Sequence, residues 1–236
     1  MNQSCNCKII TGQYSLADDI GQQMIQTLFG KDARYRYALY FHWYNLIHEL
    51  GHAIMMFNNP ARPHPAEEEQ LVNDFAVAYW RQYGETAKLR QLEEMVTQTL
   101  TKFPALTDGD YLEFTKAHWG EDVFQTFAGY GWFQFSSVQT SLSRQITLEE
   151  ALGRLCPGIL VPQEKRMLSY EIREEVAEMV VSDAVGILRQ WGMTLPKGIP
   201  VVLSDDVNCH MFHCEDYDRI RSQVMELYGE INDECK

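Results

Sequence analysis

Long hydrophobic runs are absent from this sequence, and so are clusters of basic residues. No stretch of its 236 residues approaches the roughly 18 to 20 consecutive apolar residues that a membrane-spanning helix needs. Lysine and arginine total 20 against 33 aspartates and glutamates, which gives a formal net charge of −13. A nucleic-acid-binding surface requires clustered lysine and arginine side chains to neutralise phosphates. We therefore expect a protein whose partners include neither nucleic acid nor a membrane.

Cysteine is also scarce, because six cysteines are spread thinly over the chain, at positions 5, 7, 156, 209, 214 and 235. A chain of this length can bury a sufficient core without disulfide bonds. The first residues lack the charged start and the apolar run of a secretory signal. We interpret the cysteines as reduced thiols and expect a cytoplasmic location.

Helical periodicity dominates the sequence. We predict helices over residues 15–29, 35–57, 67–83, 86–102, 110–127, 147–155, 163–191 and 216–231. The predicted strands are short and lie at residues 7–11, 158–161 and 199–203. Prolines between residues 60 and 65 predict a loop there. No repeat, low-complexity tract or long linker divides the chain. These patterns predict an α+β fold that is predominantly α-helical with a small sheet, in a single domain over residues 1–236, with a core for a metal site at about 35–83 and a helical C-terminal part at about 147–236.

The most informative segment is His48-Glu49-Leu50-Gly51-His52. Side chains four positions apart lie on one face of an α-helix, so both imidazoles can reach a single metal ion. Glu49 projects beside the first histidine, where a carboxylate can take a proton from a water that zinc has made acidic. The segment predicts His48 and His52 as zinc ligands and Glu49 as the general base. The alternative is a histidine pair on an ordinary core helix that binds no metal.

A catalytic zinc site needs a third protein ligand. The metzincin pattern would place a histidine six residues after His52, but that residue is Asn58. The next predicted helix begins with three glutamates at positions 67–69, far enough along the chain for a loop that brings this helix back beside the first. On a helical wheel Glu68 points most directly towards the core, and Glu69 lies at its flank. The other two glutamates are interpreted as a solvated first turn, and the residues alone leave the choice of ligand open.

The His-Glu-x-x-His segment, followed by Glu69-Gln70-Leu71-Val72-Asn73-Asp74-Phe75-Ala76, resembles the gluzincins, and particularly the ImmA/IrrE-type zinc peptidases. The resemblance implies a zincin-like fold in which one helix carries the motif and a second helix supplies a glutamate. It implies Glu69 as the third ligand and Asn73 as a residue that orients a ligand histidine. The resemblance covers about residues 40–80 only. Asn45 stands where zincins often have a β-branched residue, the segment before the motif looks helical rather than extended, and no helix-turn-helix segment is visible.

Two further groups of residues are weaker candidates. Peptide hydrolysis usually needs a second electrophile for the developing oxyanion. Tyr130 lies between Gly129 and Gly131, which we interpret as an aromatic turn at the edge of a cleft, and His118 is the alternative. The segment Cys209-His210-Met211-Phe212-His213-Cys214 could bind a second metal by composition, but its spacing matches no closed zinc motif.

Together these features predict a zinc-dependent hydrolase, specifically a metallopeptidase that acts on a peptide or protein substrate. In this prediction Glu49 and Tyr130 are catalytic, and His48, His52 and Glu69 bind Zn²⁺. The alternative is a zincin-like protein that binds zinc and has a regulatory or interaction role without peptidase activity.

Overall fold

The computed structural model describes residues 7–59, 61–162 and 166–205, which fold mainly into helices. In chain order the elements are β1 (Ile9–Gly12), α1 (Asp19–Phe29), α2 (Ala33–Tyr37), α3 (Asn45–Asn58), α4 (Pro65–Tyr83), α5 (Thr86–Leu100), α6 (Tyr111–His118), α7 (Phe127–Ser143), α8 (Leu148–Leu155), α9 (Ala177–Gln190) and β2 (Val201–Ser204). A π-helical segment, Ala38–Tyr44, joins α2 to α3 and makes residues 33–58 one continuous helical stretch. The predicted predominantly helical fold with a small sheet is confirmed.

Several helices begin at a side chain that satisfies the first free backbone N–H groups. Asp18 accepts from Gly21 N–H at the start of α1, and Asp110 accepts from two N–H groups at the start of α6. Thr147 and Glu150 form a capping box at α8, in which each side chain accepts from the other's backbone N–H. Such caps stabilise a helix by about 1 kcal/mol each, so these starting points are determined locally by the sequence.

The sheet consists of β1 and β2, which pair in parallel with Ile9 opposite Val201 and Gly12 opposite Ser204. The predicted strands at 7–11 and 199–203 are confirmed with shifts of one or two residues. The predicted strand at 158–161 is wrong. That segment follows α8 through Gly158, whose φ is +87°, and it leaves the Leu160 side chain 82% exposed. No described strand lies beside it, and an extended segment without a partner is no strand.

Two of the predicted helices are shorter than the apolar pattern indicated. The predicted helix 110–127 ends at His118, after which Gly120 adopts a φ of +89° and a 3₁₀ turn leads to α7. The predicted helix 163–191 begins only at Ala177. Of the described residues before it, 166–173 have no regular structure, Glu174–Val176 form a 3₁₀ turn, and Leu168 N–H donates to Tyr83 C=O at 2.6 Å. The predicted helix 216–231 lies outside the described residues.

Helix α7 is a feature that the sequence analysis missed. The interpretation of residues 129–131 as a turn is wrong, because Thr126 caps the helix by accepting from Gly129 N–H and the helix continues to Ser143. The glycines serve packing instead. A Cβ atom on Gly131 would lie 2.5 Å from the ring of Phe103, which no packed side chain tolerates.

Helices α3 and α4 form the pair on which the candidate site depends. The connecting loop is short, and contacts of His52 with Glu68 and of His48 with Asn73 show that the two helices run antiparallel. The two helices approach closely at Gly51, where an added Cβ atom would lie 2.9 Å from Val72 Cβ. The absence of a side chain at Gly51 therefore sets the distance between the helix that carries the histidines and the helix that carries the glutamates.

Replacement of Gly51 by alanine is expected to lower stability by about 1–3 kcal/mol, because the added methyl group pushes α3 and α4 apart. Helix propensity alone would favour alanine by about 1 kcal/mol, so the packing cost must exceed that gain. The matched control is Gly186→Ala in α9, where an added Cβ meets nothing within 4 Å. Thermal unfolding should separate the two variants, with Gly51→Ala below and Gly186→Ala at or above wild type. Equal midpoints would contradict the close approach.

Buried apolar side chains from Ile9 to Val201 form one continuous core around these elements. Its centre is aromatic, and the stacked rings of Trp43 and Trp80, 4.2 Å apart, hold the π-helical segment against α4. Across the ranges that the structure describes, no helix has both the length and the apolar character to cross a membrane. The single domain over residues 1–236 stays a prediction.

Candidate metal centre

The structure brings His48, His52 and Glu69 together. One ligand atom from each lies within 4.8 Å of those of the others, and such a group could hold a metal ion. The Nε2 atoms of the two histidines are 3.3 Å apart. Each also faces one oxygen of the Glu69 carboxylate, at 3.3 Å from His48 Nε2 and 3.4 Å from His52 Nε2. The two turns of α3 and the second turn of α4 thus direct three donor atoms to one point.

The opposite ring nitrogens of both histidines are held by oxygen acceptors. His48 Nδ1 lies 2.8 Å from Asn73 Oδ1, and His52 Nδ1 lies 2.7 Å from Glu68 Oε1. Tyr44 also donates to Asn73 Oδ1, while the Asn73 amide nitrogen donates to Ser137, which fixes the amide orientation. Since both partners are acceptors, each Nδ1 carries a proton, and each Nε2 faces the site, where it can offer a lone pair to a metal ion once it is deprotonated.

This arrangement favours a positive charge at its centre. Burial by itself would lower the pKa of His52, but hydrogen bonds with the Glu68 and Glu69 carboxylates raise it to about 10. Burial would raise the pKa of Glu69, yet its hydrogen bonds with His48 and His52 hold that pKa well below its usual range. Two lone pairs and a carboxylate face one another, so either a proton or a metal ion must lie among them. A metal ion has to displace that proton, and its affinity therefore falls as the pH falls.

The three glutamates at the start of α4 have three different partners. Glu67 lies on the surface and pairs with Lys116 at 2.7 Å. Glu68 is buried, as the helical wheel indicated, and contacts Arg62 as well as His52 Nδ1, so the interpretation of this residue as solvated is wrong. Glu69 is the glutamate that faces the Nε2 atoms.

Glu49 lies beside the three donor residues on the wall of the same cleft. Asn45 sits one helical turn before it, and the Asn45 amide donates to Glu49 Oε1 at 3.2 Å. Asn45, which departs from the usual zincin pattern, therefore holds one carboxylate oxygen of Glu49. Within the described residues no side chain other than Asn45 donates to this carboxylate, so Oε2 has no side-chain donor among them.

The cleft has a volume of about 390 Å³ and is formed by four parts of the chain. The π-helical segment with α3, Glu69 of α4, β1 with the preceding Lys8, and α7 contribute its lining. The lining residues are Lys8, Ile9, Ile10, Tyr40, Phe41, Asn45, His48, Glu49, His52, Glu69, Tyr130, Gly131, Gln134 and Phe135. This size is within the range of small-molecule and peptide-side-chain pockets.

Tyr130 lines this cleft, although it does so from a helix rather than from the predicted turn. Its hydroxyl accepts from Gln134 Nε2 at 3.0 Å, and the same Gln134 nitrogen lies 3.5 Å from Glu69 Oε2. Burial, together with the charges of Glu69 and Glu49, raises the pKa of Tyr130 well above its usual value. The phenol therefore stays protonated and can serve as a hydrogen-bond donor.

Tyr40 is a cleft residue that the sequence analysis did not identify. It is buried and lines the same cleft from the π-helical segment, two helical turns before His48. Burial and the nearby Tyr130, Glu69 and Glu49 raise its pKa far above the ordinary value. The spacing of eight residues from His48 was a signal available in the sequence. Gln134 and the β1 residues had no such signal, because they are distant in the chain.

The other candidates lie elsewhere. The ring of His118 stacks on Phe114 at 4.2 Å, and its Nδ1 bonds to Phe114 C=O, outside the lining of the cleft. His42 is buried and its Nε2 lies 2.7 Å from Gly12 C=O, so it links the π-helical segment to β1. The cysteine and histidine residues at 209–214 lie outside the described residues. Cys7 and Cys156 form no disulfide within the described part of the chain.

Comparisons with known proteins add no relative. A scan against protein-family models finds no match, and neither the curated proteins nor the solved structures contain a significant one.

Proposed function

We propose that this protein is a zinc-dependent peptidase with a zincin-like metal site. The observation that carries the proposal is the convergence of His48, His52 and Glu69 on one point, with the carboxylate of Glu49 on the wall of the same cleft. Three protein ligands that leave a position open are the usual composition of a catalytic zinc site, whereas structural sites use four.

The spacing of the donor atoms supports zinc as the ion. Donor atoms at about 2.0–2.1 Å from a tetrahedral zinc ion lie about 3.3–3.4 Å from one another. The separation of the two Nε2 atoms is 3.3 Å, and those atoms lie 3.3 and 3.4 Å from the nearer Glu69 oxygens. Two imidazoles and a carboxylate are also a donor set that zinc prefers, and both imidazoles have the orienting partners that zinc ligands usually have.

When bound, zinc supplies a Lewis acid that lowers the pKa of a bound water and polarises a carbonyl group. Glu49 Oε2 is the atom that takes the proton from the attacking water, because Asn45 occupies Oε1. The same oxygen then delivers the proton to the departing amine nitrogen. Tyr130, held in its protonated form, donates towards the carbonyl oxygen on which negative charge develops.

The edge of β1 supports a peptide as the substrate. Ile9 N–H donates to Pro200 C=O and Gln13 N–H to Ser204 C=O, so alternate residues of β1 direct their backbone groups to β2. The backbone groups of Ile10 and Gly12 therefore point to the other edge, where Gly12 C=O is engaged by His42. Ile10 lines the cleft, and its backbone can pair with an extended peptide laid along this edge.

The test is a measurement of metal content and of peptide cleavage on the same preparation. We expect about one zinc per chain by elemental analysis, cleavage of a defined peptide library detected by mass spectrometry, loss of cleavage after chelation, and recovery on addition of zinc. If the protein held no stoichiometric zinc even after titration with zinc, the proposed metal site would be rejected. If the protein bound stoichiometric zinc but cleaved no member of the library, the peptidase proposal would be rejected. The alternative, a zinc-binding regulatory or interaction protein, would then be favoured.

A further inference from the structure

Lys8 gives the cleft a positive charge that neither the metal site nor Glu49 requires. It precedes β1 directly, its side chain is exposed, and it is the only lysine or arginine among the described residues that line the cleft. Within the ranges that the structure describes, no carboxylate forms an ion pair with Lys8. An ammonium group at the wall of a binding cleft that pairs with no described carboxylate is available to an anionic group of a ligand.

The charge balance of the cleft also favours an anionic group of a ligand near Lys8. Its lining contains two carboxylates, Glu49 and Glu69, and one ammonium group, Lys8. A divalent ion at the three donor residues would offset the two carboxylates, which leaves the charge of Lys8 uncompensated. The remainder of the molecule is strongly acidic. Charges on distant surfaces are screened over about 8 Å at physiological ionic strength, so the local positive charge decides what enters the cleft.

The position of Lys8 relates this charge to a bound peptide. Lys8 and Ile10 are two residues apart, so their side chains lie on the same face of the extended chain, and both line the cleft. A strand rises about 3.3 Å per residue, which places Lys8 about 6.6 Å along the edge from Ile10. A peptide that pairs with the Ile10 backbone would therefore carry a side chain or a chain end within reach of Lys8, at a fixed distance from the metal centre.

We propose that the cleft selects peptides with a carboxylate at one fixed position beside the cleaved bond, and that Lys8 is the residue that binds this carboxylate. The inference rests on the proposed function. The carboxylate has two possible sources, an aspartate or glutamate side chain and the C-terminal carboxylate of a short peptide. Both offer the same chemistry to Lys8.

The experiment compares cleavage of a peptide library by the zinc-loaded wild type, Lys8→Met and Lys8→Glu. Wild type is expected to favour the acidic peptide over its matched amide about tenfold, the size of one charge-assisted hydrogen bond. Lys8→Met should lose that preference while it keeps its zinc and its rate on neutral peptides. Lys8→Glu should prefer lysine or arginine at the same position. The control is Lys31→Met, which removes an exposed lysine outside this cleft and should behave as wild type.

To identify the source of the carboxylate, cleavage of three versions of the best peptide is compared. One has a free C-terminus, one has an amidated C-terminus, and one has its glutamate replaced by glutamine. If amidation abolishes the preference, Lys8 binds the C-terminal carboxylate. If the glutamine replacement abolishes it, Lys8 binds the glutamate side chain. An equal preference in wild type and Lys8→Met, or no preference in wild type, would overturn the inference while peptide cleavage itself stands.

A binding measurement separates the inference from the peptidase proposal. The same labelled peptides are titrated into zinc-loaded Glu49→Gln protein, which should bind without turnover. Tighter binding of the acidic peptide that disappears with the added Lys8→Met change supports the selection by charge, even if wild type cleaves nothing and the peptidase proposal fails. Binding that is insensitive to the peptide charge overturns the role of Lys8.

Discussion

The Glu49→Gln variant is expected to retain its zinc and to lose peptide turnover by about 10²–10⁴-fold, the usual contribution of a general base. Glutamine matches glutamate in shape, and its Oε1 can still accept the hydrogen bond from Asn45. Its amide nitrogen, however, replaces the oxygen that would take the proton. The donor atoms of His48, His52 and Glu69 are untouched, so metal content should stay at one ion per chain. The measurement is kcat/KM on a cleaved peptide, with elemental analysis of the same sample.

The matched control for this variant is Glu67→Gln. Glu67 lies near the metal centre in sequence, but it pairs with Lys116 on the surface and does not line the cleft. It removes the same charge from the protein, so any general effect of net charge on turnover would appear in both variants. If both Glu49→Gln and Glu67→Gln turned over peptide at the wild-type rate, Glu49 would not be the general base.

The pairing of α3 with α4 could be predicted from the sequence for a physical reason. The histidines, Glu49 and the glutamates of α4 are close along the chain, and a helix fixes which of them share a face. The prolines at 60–65 indicated a loop, and a short loop requires neighbouring antiparallel helices. The orientation of His48 by Asn73, implied by the resemblance, is the contact that the structure has at 2.8 Å.

Most of the residues that line the cleft could not be predicted from the sequence, because the cleft joins distant parts of the chain. Ile10 comes from the first strand, Lys8 from the residue before it, and Gln134 from α7, more than one hundred residues later. Tyr130 of the same helix was predicted at a cleft, but on a turn rather than on a helix. Helix α7 itself was missed because glycines are local turn signals, whereas Gly131 is required by the ring of Phe103, a tertiary contact that no local rule contains. The apolar pattern predicts a helix before α9, but Leu168 N–H in that segment donates to Tyr83 C=O instead.

The choice between Glu68 and Glu69 depended on the angle and distance at which α4 meets α3. Neighbouring residues on a helix differ in direction by about 100°. A wheel ranks them by burial, and Glu68 is indeed the more buried of the two. Both carboxylates contact His52, from opposite sides of the ring. Gly51 allows α4 to approach so closely that Glu69 meets the Nε2 atoms while Glu68 reaches Nδ1 from behind.

The two glutamates are therefore expected to differ sharply when each is replaced by glutamine. Glu69→Gln should lose more than about a hundredfold in zinc affinity, because roughly 10–16 kcal/mol shared among three or four ligands gives each about 3 kcal/mol or more. Glu68→Gln should lose only about 10–100-fold, the usual effect of a residue that orients a ligand. Its Oε1 can still accept from His52 Nδ1, although the ion pair with Arg62 is lost.

Competition with a chromophoric chelator measures both affinities at one pH, and circular dichroism checks that each variant is folded. The two variants remove one charge each, from adjacent positions of the same helix, so net charge and helix propensity cannot explain a difference between them. The ratio of the two losses isolates direct coordination, because only Glu69 faces both Nε2 atoms, at 3.3 and 3.4 Å. If Glu68→Gln lost its zinc while Glu69→Gln retained it, Glu68 would be the ligand, and α4 would have to turn by about 100° from the orientation that Gly51, Val72 and Phe75 hold in place.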